Sequence, residues 1–311
     1  MTEKQQPNLA ADLNLLAAAA IWGLNVVAMK FAISLLNPFW FNALRFVFSV
    51  LALAIWIIIN RKRSARTAHS PPKSGISPKR YVGTIVVYAV LFGLIYQVAF
   101  LMGIFRTSAS STALIMASTP MWTAVIAIIF LKERLSPTSW FGLVVTFAGT
   151  MIVALDKPGA DMATSTATST TLVGNAIMLF CALSWSASTV ISRPIMKHIS
   201  PVELTFWGMG LALPFHFLIA LFQPEVDMTI VWQPKVTSAI LYCGIFSTGI
   251  ALAMWSYGVK ILGASHASIY GNLIPLVAMF FGWLMLGEIP TTFQWIGGGM
   301  IVSGLLTMRR G

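Results

Sequence analysis

The sequence predicts an all-α membrane protein: ten transmembrane helices in two inverted five-helix repeats around a central cavity. Three observations carry this. The 311 residues are 57% hydrophobic and only 9% charged, with a mean hydropathy of +0.81. Apolar stretches long enough to cross ~30 Å of hydrocarbon recur along the whole chain. The Trp, Pro and Gly pattern of the first half returns in the second. A soluble domain carries roughly 25% charged residues, so most of this surface must face lipid. That excludes a soluble enzyme, a nucleic-acid binder and a disordered scaffold. The net charge of +11 points to topology rather than to nucleic acid, because the basic residues cluster in short loops between apolar runs.

In chain order the apolar stretches are 13–35, 39–60, 82–105, 108–131, 137–155, 172–193, 202–222, 236–260, 263–286 and 292–308. The first continues past Asn25 and Lys30 to Leu36. It is too long for a signal-peptide core and is read as a retained span. Pro38, Pro137 and Pro201 stand at span starts, where proline costs nothing because its missing N–H has no helical partner anyway. Residues 156–171, rich in Ser, Thr, Ala and Gly, are expected to be an unstructured linker between a first repeat, 1–155, and a second, 172–311. Cys181 and Cys243 lie inside apolar runs and read as small buried hydrophobes. With the N-terminus in the cytoplasm, 15 of the 20 Lys and Arg fall in inside segments; Lys30, Arg106, Lys157 and Lys235 fall outside, and Arg45 lies within the second span. This bias places both termini in the cytoplasm.

The repeat is visible in two registers. A shift of 163 brings Trp22 onto Trp185, Lys30 onto Arg193 and Pro38 onto Pro201. Beyond the second span a shift of 155 brings Gly103 onto Gly258, Ser110 onto Ser265, Pro120 onto Pro275, Glu133 onto Glu288, Trp140 onto Trp295 and Gly149 onto Gly304. The change of register falls where the first half carries its longer basic loop, so one insertion explains both. Five spans per repeat is an odd number, so the second copy enters the membrane with opposite polarity. Inverted repeats of this kind build many secondary transporters, with the substrate near the midplane where the copies meet.

These residues resemble a known family. Trp22-Gly23 with Asn25, Pro38 followed by Leu44-Arg45-Phe46, and Ser110 to Pro120 followed by Leu131, Glu133 and Trp140 are similar to the motifs of EamA-type drug/metabolite transporters. Gly263-Ala264-Ser265, Pro275, Gly287-Glu288, Gly297 and Gly304 are similar to the second copy of those motifs. The resemblance covers almost the whole chain. It implies a cavity lined by helices 1–4 and 6–9, with helices 5 and 10 at the periphery, and a bacterial inner-membrane exporter of a small metabolite. The second copy departs from the pattern: it has Ser184-Trp185-Ser186, and Gly208 stands where Arg45 would recur.

Polar groups within lipid are costly, so each is a functional candidate. Trp22, Asn25 and Met29 share a helix face, as do Trp185, Ser188 and Ser192; these would line a cavity with two aromatic walls or pack helices together. Tyr96 belongs to a stripe with Phe92 and Phe100, with Gln97 one step round, and Trp255 aligns with Phe100. His266 and Tyr270 share a face of the ninth span, and a proton route through His266 is one reading; His216 is the other histidine near membrane depth. Pro120 and Pro275 each remove a helical hydrogen bond at symmetric places and are expected to be conformational hinges or static kinks. Arg45 has three readings: snorkelling to headgroups, pairing with backbone carbonyls, or meeting a substrate carboxylate. Glu133 and Glu288 read as structural caps or intra-loop pairs rather than coupling sites. The small-residue rows Gly142, Thr146, Gly149 and Gly297, Ser303, Gly304 suit packing between the repeats or a homodimer contact.

The expected activity is export of a small amphipathic metabolite by alternating access, an aromatic amino acid being favoured by Arg45 beside Trp22, Tyr96, Trp185, Trp255 and Tyr270. The alternative cargo is a quaternary amine or drug-like cation held by cation–π attraction. A channel and a polytopic membrane enzyme are the remaining alternatives; no catalytic pair, metal cluster or cofactor motif stands in the sequence. The partners expected are the small-molecule substrate and the lipid bilayer, and no nucleic acid.

Overall fold

The computed structural model describes residues 9–67, 81–131, 136–156, 165–192, 194–224, 227–262 and 270–310. Among these residues all regular structure is helical. Helix α1 (Leu9–Ile33) and α2 (Pro38–Thr67) form the first hairpin. The third span is one rod in three parts: α3 (Val82–Tyr88), a π segment (Ala89–Tyr96) and α4 (Gln97–Ile104). The fourth is broken into α5 (Ala109–Ala117) and α6 (Thr119–Leu131). Helices α7 (Pro137–Leu155), α8 (Ser165–Ser192) and α9 (Pro201–Leu221) follow. Next come α10 (Pro234–Leu241), a second π segment (Tyr242–Ile250) and α11 (Ala251–Leu262). The last helices are α12 (Leu273–Leu286) and α13 (Thr292–Arg310).

Eight of these rods are at least 18 residues long and apolar enough to cross a membrane, and α12 is a shorter apolar helix. Their outward faces carry large apolar side chains such as Phe130, Phe141, Phe215, Leu284 and Phe293. Such an exterior is tolerable only in hydrocarbon, so the protein is a multi-pass membrane protein.

Sequence signals set the helix ends. Ser108, Ser136 and Ser200 are N-caps whose hydroxyls accept from the backbone N–H three residues on. Glu203 completes a capping box with Ser200. Helix α12 stops at Gly287, where φ is +68° and a Cβ would be strained. One boundary corrects the expected linker: α8 begins at Ser165, inside 156–171. Its Ser, Thr and Ala are neutral helix formers that extend a helix once the apolar run beyond them has nucleated it.

The two π segments occupy nearly matched places: a shift of 155 carries 89–96 onto 244–251. The two prolines are matched as well, but neither kinks a continuous helix. Pro120 is the second residue of α6, just after the break at Ser118, and Pro275 is the third of α12, just after Asn272. The carbonyl that Pro120 cannot serve, that of Met116, accepts from the Thr119 hydroxyl. The expected kink is thus a capped interruption.

Helices α7 and α13 meet backbone to backbone. A Cβ on Gly142 would lie 2.5 Å from the Gly304 carbonyl oxygen, and one on Gly149 would lie 2.7 Å from that of Gly297. Lipid offers no hydrophobic drive between helices, so close approach of this kind supplies the dispersion that joins them. Ser303 departs from its expected row and faces outward.

The interior holds two main apolar clusters. One gathers Val27, Ile33, Phe41, Leu101, Ile104, Ile115 and Met178. The other gathers Phe46, Leu53, Tyr88, Phe92, Ile195, Leu204 and Met209. Tyr96 packs against both, and the polar groups described next lie along that seam.

Candidate functional site

Arg45 is seven residues into α2, ~10 Å from its start at 1.5 Å per residue. Its side chain is 5% exposed, so it does not snorkel. It does not bind backbone carbonyls either. Nη2 donates to Asn42 Oδ1 at 2.6 Å and to Gln97 Oε1 at 2.7 Å, and Nη1 points at Met29 Sδ at 3.6 Å. Asn42, one turn earlier on α2, is 1% exposed and Gln97, the first residue of α4, is 7% exposed. The guanidinium also stands 5.4 Å from the centre of the Phe46 ring. Among the described residues no carboxylate pairs with Arg45. The ion pairs are Lys30–Glu288 and Arg61–Glu203. Arg45 Nε has no partner among the described residues.

The chain of bonds continues. Asn42 Nδ2 lies 3.1 Å from His216 Nδ1, and His216 Nε2 lies 2.8 Å from the Gly93 carbonyl oxygen. A π segment closes i→i+5 bonds and leaves carbonyls short of helical partners. Side chains fill the gap: His216 at Gly93, the Ser184 hydroxyl at Leu91 (3.0 Å), and Trp22 Nε1 at Ser247 in the second π segment (3.0 Å).

On the other side of Met29 is Asn25. Its Nδ2 donates weakly to Met29 Sδ at 3.5 Å, and its Oδ1 is buried without a partner. An unfilled acceptor and an unfilled guanidinium donor therefore flank one methionine. Buried polar atoms are rarely left unpaired, and these two stand among four such side-chain atoms of the described residues, with the Ser110 and Thr112 hydroxyls.

The aromatic residues divide into two groups rather than one cage. Tyr96 and Trp185 meet edge to face with centroids 4.9 Å apart, and Phe92 stacks on Tyr96 and abuts Trp185. Phe100 continues the stripe. This group borders Gln97 and so Arg45. Trp22 instead packs on Trp255 at 5.1 Å. Trp255 and Tyr270 pack around Ala11 and Leu15 near the start of α1, and the Tyr270 hydroxyl donates to Asp12 Oδ1 at 2.7 Å. Asp12 and Met29 are 17 positions apart on one helix, ~25 Å along its axis, so Tyr270 does not join Arg45. Ser188 bonds its own helix, at the Trp185 carbonyl. His266 lies outside the described residues.

Asn42 and the part played by His216 were missed in the sequence. The available signal was spacing: Asn42 is one turn before Arg45, on its face, in an otherwise apolar run. Glu288 does cap, as expected. Its Oε2 accepts from the Ala109 N–H at the start of α5 (2.8 Å), while its Oε1 pairs with Lys30 Nζ at 2.5 Å.

Comparison with known proteins bears on the family and the fold. The EamA-like transporter family matches twice, at residues 9–155 and 172–310. "Uncharacterized transporter YoaV" of Bacillus subtilis is 26% identical, over 94% of each chain. An uncharacterized transporter of Archaeoglobus fulgidus is 23% identical, over 93% of this chain and 95% of its own. A "probable terminal-alkyne amino-acid exporter" of Streptantibioticus cattleyicolor is 24% identical, over 69% of each. A solved crystal structure superposes with a TM-score of 0.62 at 19% identity, covering 97% of this chain and 96% of that one. A multi-pass helical protein matched by the same family in both halves, this chain belongs to the EamA-like transporter family.

Proposed function

We propose that the protein is a secondary transporter that exports a small amphipathic metabolite carrying a carboxylate, an aromatic amino acid in the first instance. One observation carries the reading: Arg45, buried in the membrane interior, is held by amides and has no acidic partner among the described residues. An arginine in hydrocarbon without a counter-charge is expensive, and a substrate carboxylate would supply that charge in bidentate form. Asn25 Oδ1 would accept from the ammonium, and the Tyr96–Trp185–Phe92 group would pack the aromatic body. A cationic cargo would meet Arg45 as a like charge.

Movement follows from the reading of two inverted five-helix halves, with both termini in the cytoplasm of a cell whose inner membrane holds the protein. The matched interruptions before Pro120 and Pro275 are where each half would flex, exposing the site to one side at a time. The amino-acid exporter among the relatives supports the cargo class. Flux in proteoliposomes tests it with three labelled probes: L-tryptophan, indole-3-propionate (carboxylate only) and tryptamine (amine only). The first two should cross and the third should not. Movement of tryptamine alone would overturn the reading in favour of the cation.

A further inference from the structure

His216 is the one histidine of the described interior, and its two ring nitrogens are both engaged. Its Nε2 faces a carbonyl oxygen, that of Gly93, so this nitrogen must carry hydrogen. A neutral imidazole has a single N–H, so Nδ1 is an acceptor and takes the bond from Asn42 Nδ2. The Asn42 amide then has one orientation left, with Oδ1 toward the Arg45 guanidinium. Gly93, His216, Asn42 and Arg45 thus form a directed series in which each contact sets a donor against an acceptor. His216 is 2% exposed, and the Phe46 ring packs on it, 4.3 Å from the imidazole by centroids.

A second proton on His216 breaks the series wherever it is repaired. With Nδ1 protonated, two donors face each other at Asn42. If the amide turns over to accept from His216, its NH2 group faces the guanidinium instead. No orientation of Asn42 serves both neighbours. We propose that His216 is a positioning residue for the carboxylate site: neutral, it holds Arg45 through Asn42; protonated, it releases Arg45 to the substrate. This rests on the reading of Arg45 as the carboxylate's partner. The charge of a protonated His216 would act in the same direction, because it attracts an anion. Carboxylate and proton therefore bind together.

The other titratable groups on the packed elements do not supply this linkage. On α2, Arg45 reaches His216 through Asn42, while Arg61 and Lys62 lie at the far end, where Arg61 pairs with Glu203 of α9. On the third span, Tyr88 lies against Gly208, and the Tyr96 ring lies on Trp185. On α11, Tyr257 is exposed.

Two measurements test the proposal. The first needs no substrate: ring-nitrogen NMR of the full chain in micelles, with the His216 signal assigned by its loss in His216→Gln. The expected state at neutral pH is the Nε2–H tautomer, and an Nδ1–H tautomer overturns the series. The second is equilibrium binding of indole-3-propionate from about pH 8 down to about pH 5, because a buried histidine is harder to charge than an isolated one. Wild-type affinity should rise on acidification, by at most about tenfold per pH unit for one linked proton. His216→Ala removes the hold, so it should bind at every pH about as tightly as acidified wild type. His216→Gln keeps one donor for Gly93 and one acceptor for Asn42 and takes no second proton, so it should hold Arg45 at every pH, bind like wild type at the alkaline end and show a flat profile. A wild-type pH response surviving in His216→Gln overturns the proposal. If wild type does not bind the probe at any pH, the carboxylate reading fails, and the tautomer still decides whether the series exists.

Discussion

Positions 45 and 208 correspond across the two halves, and they do opposite things. In the first half the helix carries Arg45, and its own Asn42, with Gln97 and Met29 from two neighbouring helices, holds it. In the second half the helix carries Gly208, and the bare backbone admits the Tyr88 ring: a Cβ there would lie 2.7 Å from Tyr88 Cε1. One position is a charge held in place; the other is a point of close packing. The comparison shows that duplication set the scaffold, with its matched π segments and matched helix breaks, while the charge belongs to one copy. The second half still contributes to the polar series through His216, but it brings no charge of its own to match Arg45.

The largest expected effect comes from removing the charge. Arg45→Met keeps the volume near that of the stem and should cut uptake of indole-3-propionate about 10- to 100-fold, the worth of one charge-assisted contact of ~1.5–3 kcal/mol. Proteoliposome flux reads this, and equal flux would make Arg45 structural. Gly208→Ala attacks the other side of the comparison. It overpacks the Tyr88 contact and should lower stability by roughly 1–3 kcal/mol, seen as a fall in the detergent unfolding temperature; no fall would mean the two helices separate freely. Glu288→Gln removes the charge that ties α1 to the start of α5 and should cost about 1 kcal/mol by the same measurement. Lys30→Met should cost less, since the cap on Ala109 survives. The smallest effect is Arg61→Ala: its pair with Glu203 is largely exposed, and such pairs contribute little.

Much of the fold was legible because lipid makes the code simple. Apolar length marks a span, and Pro38, Pro137, Pro201 and Gly287 mark ends by chemistry that works one residue at a time. The start of α8 was misread because Ser and Thr look like loop residues when the helix that recruits them is out of view. The π segments left no signal, as they depend on how neighbouring side chains reach the backbone. At the candidate site, Arg45, Gln97, Tyr96 and Trp185 could be singled out because polarity or size stands out against an apolar run. Asn42 went unseen because its meaning lies in partners from another helix, 174 positions away in the case of His216. Trp255 and Tyr270 were drawn to the same site by their chemistry, and the structure sets them near Asp12 instead.

The central claim is that Arg45 binds the substrate's carboxylate. Calorimetric binding of indole-3-propionate and of its neutral amide, to wild type and to Arg45→Gln, tests it most directly. The account predicts that wild type binds the acid at least about tenfold more tightly than the amide, the worth of ~1.4 kcal/mol, and that Arg45→Gln binds the two alike. Equal binding by wild type, or a preference for the acid that outlives Arg45, would contradict it.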